Sequence, residues 1–424
     1  MTVIEMLRGA VEAKLSELPA QGRSRDIARG GKVAGHASIS ELGRRIADDL
    51  VREAFTNGLD VQWEIEGEKA SRGSSAMEVG QVIASVSFFY KIDISEKILD
   101  EAKLLRRLAQ RDDLPLEFRN LFPRVFALSD AGPVFGYLME QFPAADGFSS
   151  VADLLFPSKD PSSITEHTAL RVANSVCDTL FTGYDYREHG NKERRKQPNF
   201  RLRPSVYVDY VERIRDRMAD AALSDAAFKS TEVEVIREGQ ARRFRPWAEY
   251  LEALRAHRQY VDALAPPFVT FVHGDPNPEN VLVRAGIRGF DMRLIDPKEW
   301  GDGDYLFDLT KFVHYVCVTG PAQSIGETIA TANYRGDIVS IELALAPPSW
   351  VGAVDAVVRD RAATFARQHG DQHWELRWIL GMASNLLGLP ANRLAKGQRA
   401  LALATYASGL SYLHDFCAAA GVLD

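Results

Sequence analysis

Residues 271–283 read FVHGDPNPENVLV. Strand-like apolar segments flank the run, FVTFV at 268–272 and VLV at 281–283. Between them stand His273, Asp275 and Asn280, with Pro276 and Pro278 stiffening the chain. Asp, Asn, Pro and Gly are ordinary turn formers, so the surroundings must decide whether this turn does chemistry. The chain next turns through 286–289 and returns as FDMRLIDP, where Phe290, Met292 and Leu294 alternate with polar positions and Asp296 closes the strand. A hairpin is predicted, with the loop at its tip and Asn280 and Asp296 at one end. Hard oxygen donors placed this way suit a magnesium ion shared with phosphate oxygens.

Composition narrows the class. Of 424 residues, 46% are hydrophobic and 26% charged, the balance of a soluble globular protein with two or three structural units. A net charge of -7 argues against a general nucleic-acid binder. Cys177, Cys317 and Cys417 lie far apart and form no CxxC pair, which fits reduced thiols of a cytoplasmic protein better than disulfides or a zinc site. The opening MTVIEMLRGAVEAKLSEL carries acids and lacks a long apolar run, so no signal peptide is expected. The longest uncharged stretch, near 400–413, is too short and polar for a membrane span.

Periodicity divides the chain. Residues 21–37 are rich in Gly and Arg; Ser38 and Glu41 then have capping-box spacing, and Leu42, Ile46, Leu50 and Ala54 recur at helical intervals. Residues 1–59 are expected to form a helical extension. From Asp60 the pattern changes to VQWEIEGE and AMEVGQVIASVSFFYKI, joined by the turn SRGSS. A helix with Ile98, Leu105 and Leu108 on one face follows, then the strands PRVFALSD and VFGYLMEQF. Residues 60–142 therefore read as a small antiparallel sheet carrying one helix. Residues 143–424 read as mainly helical apart from the hairpin, with helices near 150–155, 165–180, 206–222, 247–264, 374–387 and 398–419, and helix throughout from Tyr305 onward. The fold class expected is α+β, with two lobes and a ligand cleft between them.

The motif HGDPNPEN resembles the catalytic loop of the aminoglycoside phosphotransferase and choline kinase-like small-molecule kinases, and keeps the Asp-to-Asn spacing of the protein-kinase loop H-R-D-L-x-x-x-N. Gly274 replaces the arginine, as is usual in small-molecule kinases. IDPKEWGDGDYLFDLTKF resembles the second family signature in its I-D-P-R-G variant, which places Lys298 near the active end. The resemblance implies a protein kinase-like two-lobe fold and transfer of the γ-phosphate of ATP to a hydroxyl of a small molecule. It makes Asp275 the catalytic base and Asn280 and Asp296 the Mg2+ ligands. Asp304 and Asp308 match acids that brace the loop, with helix capping as their plain alternative, and His273 is read as a residue that fixes the loop.

The same resemblance assigns ATP contacts to residues 60–142. Lys91, late on an apolar strand, is costly to bury unless paired, and Glu101 on the following helix is its expected partner. Glu96 competes, although an acid in a first turn is already explained by the helix dipole. Ser74 and Ser75 in SRGSS would cover phosphates. Met139 would pack near adenine, with Glu140 and Phe142 presenting backbone groups to it. The basic run 187–203, with seven basic residues against two acids, reads as a solvated loop or lid. Glu299, Asp302, Trp374, Arg377 and Trp378 are acceptor-side candidates, core packing being their alternative. No nucleic acid or membrane partner is expected. A metallophosphoesterase would need further histidine ligands, and the nine histidines are scattered. A pseudokinase scaffold would not need Lys91, Asp275, Asn280 and Asp296 together. A protein kinase would need more residues between Asp296 and Asp308.

Overall fold

The strand-period runs of the first unit become two antiparallel sheets. β1 (Trp63–Glu68) pairs with β2 (Val79–Ala84) in the register Trp63↔Ala84 to Glu68↔Val79. β3 (Phe88–Asp93), β4 (Val125–Ser129) and β5 (Phe135–Glu140) form a three-stranded sheet in the order β3-β5-β4, and β4 bulges between Val125 and Ala127. The helix Lys97–Ala109 packs on β4 and β5. Its buried stripe is Leu99, Ala102, Leu105 and Leu108, so the apolar face is centred one position away from Ile98, which is only half-buried. Each fully buried leucine contributes roughly 1.5–3 kcal/mol, enough for the stripe to seat the helix.

The computed structural model describes residues 63–68, 79–84, 88–93, 96–111, 114–129, 135–157, 164–185, 204–229, 231–286, 289–298 and 303–423. Four sequence expectations lie outside them: the extension 1–59, Ser74 and Ser75 in their turn, the basic run 187–203, and Glu299 with Asp302. The chain divides into two compact units, Met1–Asp146 and Gly147–Asp424.

The second unit holds the hairpin, β9 (Val281–Gly286) against β10 (Gly289–Leu294), with β6 (Ser149–Ser150) on the far side of β9. Ser150 then caps the helix Val151–Leu155 by accepting from Asp153 N at 2.9 Å. The expected strand at 268–272 is not formed. That segment is extended and joined to the fold by one bridge, Thr270 to Gly303. Nor is the chain helical throughout from Tyr305. β11 (Ala330–Arg335) and β12 (Ile338–Leu343) combine with β7 (Glu232–Arg237) and β8 (Gln240–Phe244) in a sheet of order β11-β12-β7-β8, whose β12–β7 pair is parallel. Val233, Ile341 and Leu343 point from this sheet into the main core. Around it pack the helices Arg213–Ser224, Trp247–Ala256, Trp374–Leu387 and Arg399–Ala419. Arg399–Ala419 is buried nearly all round, as a central helix should be. This is the α+β architecture, small antiparallel sheets followed by a mainly helical unit, that the family resemblance implies.

Among the described residues no helix is long and apolar enough to cross a membrane. The three cysteines are free thiols, and burial pushes each up to about 12.

Candidate active site

Within the first unit, Lys91 Nζ lies 2.8 Å from Glu101 Oε1 and 3.2 Å from Oε2. Both side chains are about one-fifth exposed, and Glu96 is exposed instead. The pairing follows from the fold: β3 sets Lys91 opposite Tyr137 on β5, and Tyr137 Oη donates to Glu101 Oε1 at 2.6 Å. Tyr137 was missed in the sequence, where it looks like any strand aromatic. Its fully buried ring and terminal hydroxyl make it the brace of the acid. Met139 is buried at the end of β5, Glu140 N donates to Arg124 O at 2.8 Å, and Phe142 follows half-buried outside the strand.

In the second unit, the register Val281↔Leu294 ends the hairpin, and Ile295 N continues it by donating to Asn280 O at 3.0 Å. Asn280 is thereby a hairpin neighbour of the Ile295-Asp296 corner. Its Nδ2 donates to Asp275 O at 3.0 Å, which commits the nitrogen end of the amide to the loop. Asp296 adopts φ 55°, a left-handed conformation that Asp tolerates better than most residues but that still stores strain. Gly274 has φ 83°, where a side chain would be strained. That is the local reason for a glycine before the acid.

The loop is gripped from beneath by the helix Tyr305–His314. Asp308, wholly buried, accepts from His273 N at 2.7 Å and Gly274 N at 2.8 Å, and Tyr184 Oη donates to it at 3.3 Å. Burial pushes the Asp308 carboxyl up to about 7 against these three donors. Asp304 does different work. It caps the same helix by accepting from Leu306 N at 3.1 Å, and takes Arg377 Nε at 2.7 Å and Tyr210 Oη at 2.9 Å. Bracing and capping are thus divided between the two acids. Ala152 N adds a third hold by donating to Pro278 O at 3.0 Å.

Asp275 is nearly buried, and three side chains meet its carboxylate. Lys311 Nζ lies 3.3 Å from Oδ1, Asn277 Nδ2 lies 3.3 Å from Oδ1, and the Lys298 ammonium holds Oδ2. Burial would raise this carboxyl, but the Lys311 and Lys298 ammonium groups outweigh it and hold it well below the usual carboxylate range. Burial pulls Lys311 down to about 7, with Asp275 as the opposing neighbour. The two groups therefore sustain each other's charge. Lys311 was not singled out in the sequence, since a lysine three residues after an acid on a helix usually signals solvent.

Arg377 and Trp378, two of the acceptor-side candidates, belong to the core. Arg377 is fully buried between Asp304 and Asp371, 2.5 Å from Asp371 Oδ2, and Trp378 is 1% exposed. Among the described residues no three His, Cys, Asp or Glu side chains gather as a metal-binding group.

His273 is buried, and its Nδ1 accepts from Asp275 N at 3.2 Å. Burial outweighs the nearby carboxylates of Asp275 and Asp296 and lowers its pKa from 6.5 to about 4. Between these values the folded protein binds fewer protons than the unfolded chain. The stability tied to neutral His273 is therefore complete above the unfolded value and lost as pH falls towards the folded one. Urea midpoints measured at about pH 7.5 and about pH 5 should fall further for the native protein than for His273→Asn. Equal falls would show that the ring is not held neutral.

Residues 192–337 match the family model described as Phosphotransferase enzyme family, a span that contains the loop, the hairpin and the helix Tyr305–His314. Over that span the chain is similar to that family, in keeping with the resemblance carried by HGDPNPEN. Similar solved structures include a thermostable mutant of the aminoglycoside phosphotransferase APH(4)-Ia in its apo form, at 13% identity and TM-score 0.46, covering 87% of this chain and 98% of that one. Choline kinase from Cryptosporidium parvum is similar at 12% identity and TM-score 0.42, covering 85% and 91%. An ethanolamine kinase from Plasmodium vivax is similar at 10% identity and TM-score 0.46, covering 98% and 94%. No curated protein matches the sequence.

Proposed function

We propose that the protein is an ATP-dependent small-molecule kinase, moving the γ-phosphoryl group to a hydroxyl of a small acceptor such as a sugar, an aminoglycoside, an amino alcohol or a nucleoside-like compound. The observation that carries this reading is the Asp275 carboxylate, held ionised on a loop whose backbone is pinned by Asp308, with Asn280 and Asp296 together at the adjoining hairpin end. Phosphoryl transfer needs positioning and charge neutralisation more than covalent help. Against burial, the two ammonium groups leave Asp275 ionised, and a carboxylate can accept a hydrogen bond from an incoming hydroxyl and take its proton late in a loose transition state. Asp275 receives the acceptor hydroxyl and orients its oxygen. As the new oxygen–phosphorus bond forms and the bond to the leaving ADP oxygen breaks, the hydroxyl proton passes to Asp275 and then to solvent.

Asn280 and Asp296 would hold magnesium. The commitment of Asn280 Nδ2 to Asp275 O leaves the amide oxygen as its ligand atom, and a small set of oxygen donors is what this ion accepts when phosphates complete its shell. Bound there, the ion would offset charge on the phosphate oxygens. In the first unit, Lys91 steadied by Glu101 and Tyr137 would meet the phosphates, Ser74 and Ser75 would cover them, and Met139, Glu140 and Phe142 would flank the adenine.

Binding to the native state must raise stability. ATP with magnesium at about a hundredfold excess over Kd should add about 2.7 kcal/mol, read as an upward shift of the thermal midpoint. ATP without magnesium should give a smaller shift. A titration with no shift in either condition would remove the kinase reading, and a screen of hydroxylated small molecules with ATP and magnesium would then identify the acceptor if the shift is found.

A further inference from the structure

Accepting that kinase reading, we propose that Lys311 is the positioning residue of the reaction: it fixes Oδ1 of Asp275, so that Oδ2 is the oxygen offered to the acceptor hydroxyl. The two carboxylate oxygens have different surroundings. Oδ1 is engaged by the buried Lys311 Nζ at 3.3 Å and by the half-buried Asn277 through Nδ2 at 3.3 Å. Oδ2 is engaged by Lys298, whose side chain is 65% exposed, against 8% for Lys311. A buried lysine that leaves its partner must either strand a charge in the interior or give up its proton. An exposed one can exchange its contact for water or an incoming group at little cost.

Lys311 also stands on the element that holds the loop. Asp308 and Lys311 are three residues apart on the helix Tyr305–His314, so they share a face. Asp308 takes the backbone amides of His273 and Gly274, and Lys311 takes the carboxylate that follows. Backbone and side chain of the loop are therefore referenced to one rigid body. That body is itself fixed by the cap Asp304 and its bond to Arg377, and by close packing, since a Cβ on Gly381 would come within 2.7 Å of Thr310 Oγ1. The Phe307 ring lies 5.9 Å from Lys311 Nζ and limits where the ammonium can go. Lys298 stands outside that helix, on the chain after β10, where its N donates to His273 O at 3.0 Å.

The test uses the whole protein and water as acceptor, following magnesium-dependent ATP hydrolysis beside the thermal shift with MgATP. Lys311→Met should keep the MgATP binding midpoint and lose about 10²-fold in kcat, the scale of effect that misplacing a reacting group by about 1 Å produces. Lys311→Arg, which restores a charged donor, should recover part of the loss. Combined with Asp275→Asn, Lys311→Met should slow the enzyme no further than Asp275→Asn alone, because the group it positions is already gone. If Lys311→Met does not fold, Lys311→Gln replaces it: it is one bond too short to reach Oδ1 and should show the same fall. A folded Lys311→Met or Lys311→Gln that hydrolyses ATP at the native rate overturns the proposal, and so does a double variant in which the two losses multiply. In either case MgATP binding by the native protein leaves the kinase reading in place. Native protein that neither binds nor cleaves MgATP overturns both.

Discussion

Asp275→Asn is expected to retain MgATP binding and to lose turnover by about 10²–10⁴-fold, the usual contribution of a positioned acid–base group. The substitution keeps the shape of the side chain and removes its charge. The loop backbone is held by other groups, His273 N and Gly274 N by Asp308 and Asp275 O by Asn280 Nδ2. Lys311 would lose the carboxylate that opposes the fall in its pKa, and a buried amine can adapt by giving up its proton. The loss should therefore appear in kcat with the thermal shift by MgATP preserved. Asn280→Ala and Asp296→Ala should differ by also raising the magnesium concentration needed for half-maximal rate. A near-native rate in Asp275→Asn with the true acceptor would reduce HGDPNPEN to a well-braced turn.

Arg377→Ala is expected to lower the stability of the protein by about 3–5 kcal/mol, since removing one partner of a buried ion pair leaves an uncompensated charge. Here it would leave two. Arg377 spans Asp304 and Asp371, donates to Leu264 O at 2.8 Å, and is fully buried. Tyr210 and Tyr305 add hydroxyl bonds to the same carboxylates, each at 2.9 Å, but neither supplies positive charge. The measurement is the urea midpoint. Combining Arg377→Met with Asp304→Asn and Asp371→Asn should recover part of the loss, because the stranded charges are gone. An unchanged midpoint in Arg377→Ala would mean that water reaches the network. Because Asp304 caps the helix that carries Asp308 and Lys311, turnover of the folded fraction should fall as well.

Local pattern carried much of the candidate site. HGDPNPEN contains its own reasons: a glycine where φ is positive, prolines that stiffen, and an asparagine whose amide ties back to Asp275 O five residues earlier. The hairpin is legible because alternation and a short turn set β9 against β10 over neighbouring residues. Lys91 and Glu101 could be paired on paper because ten residues of strand and helix separate them. Helices such as Trp374–Leu387 follow from their spacing alone.

What the tertiary structure decided are the contacts made between distant segments. The second sheet was missed because its central pair, β7 with β12, is parallel and joins segments about a hundred residues apart, while β8 reads QARRF and exposes nearly all of it. Tyr137 becomes the brace of Glu101 only when β5 lies between β3 and β4. Asp304 and Asp308 look equivalent in GDGDYLFD, Arg377 reads equally as an acceptor contact or a core residue, and Lys311 looks like a surface cation. Their roles separate once the helix Tyr305–His314 is packed between the loop and Trp374–Leu387, so that one end faces Arg377 and one face meets Asp275. A charged residue's part is set by whether it has lost water and what replaces it. Spacing along a chain cannot say that, because burial is a property of everything that packs around the residue.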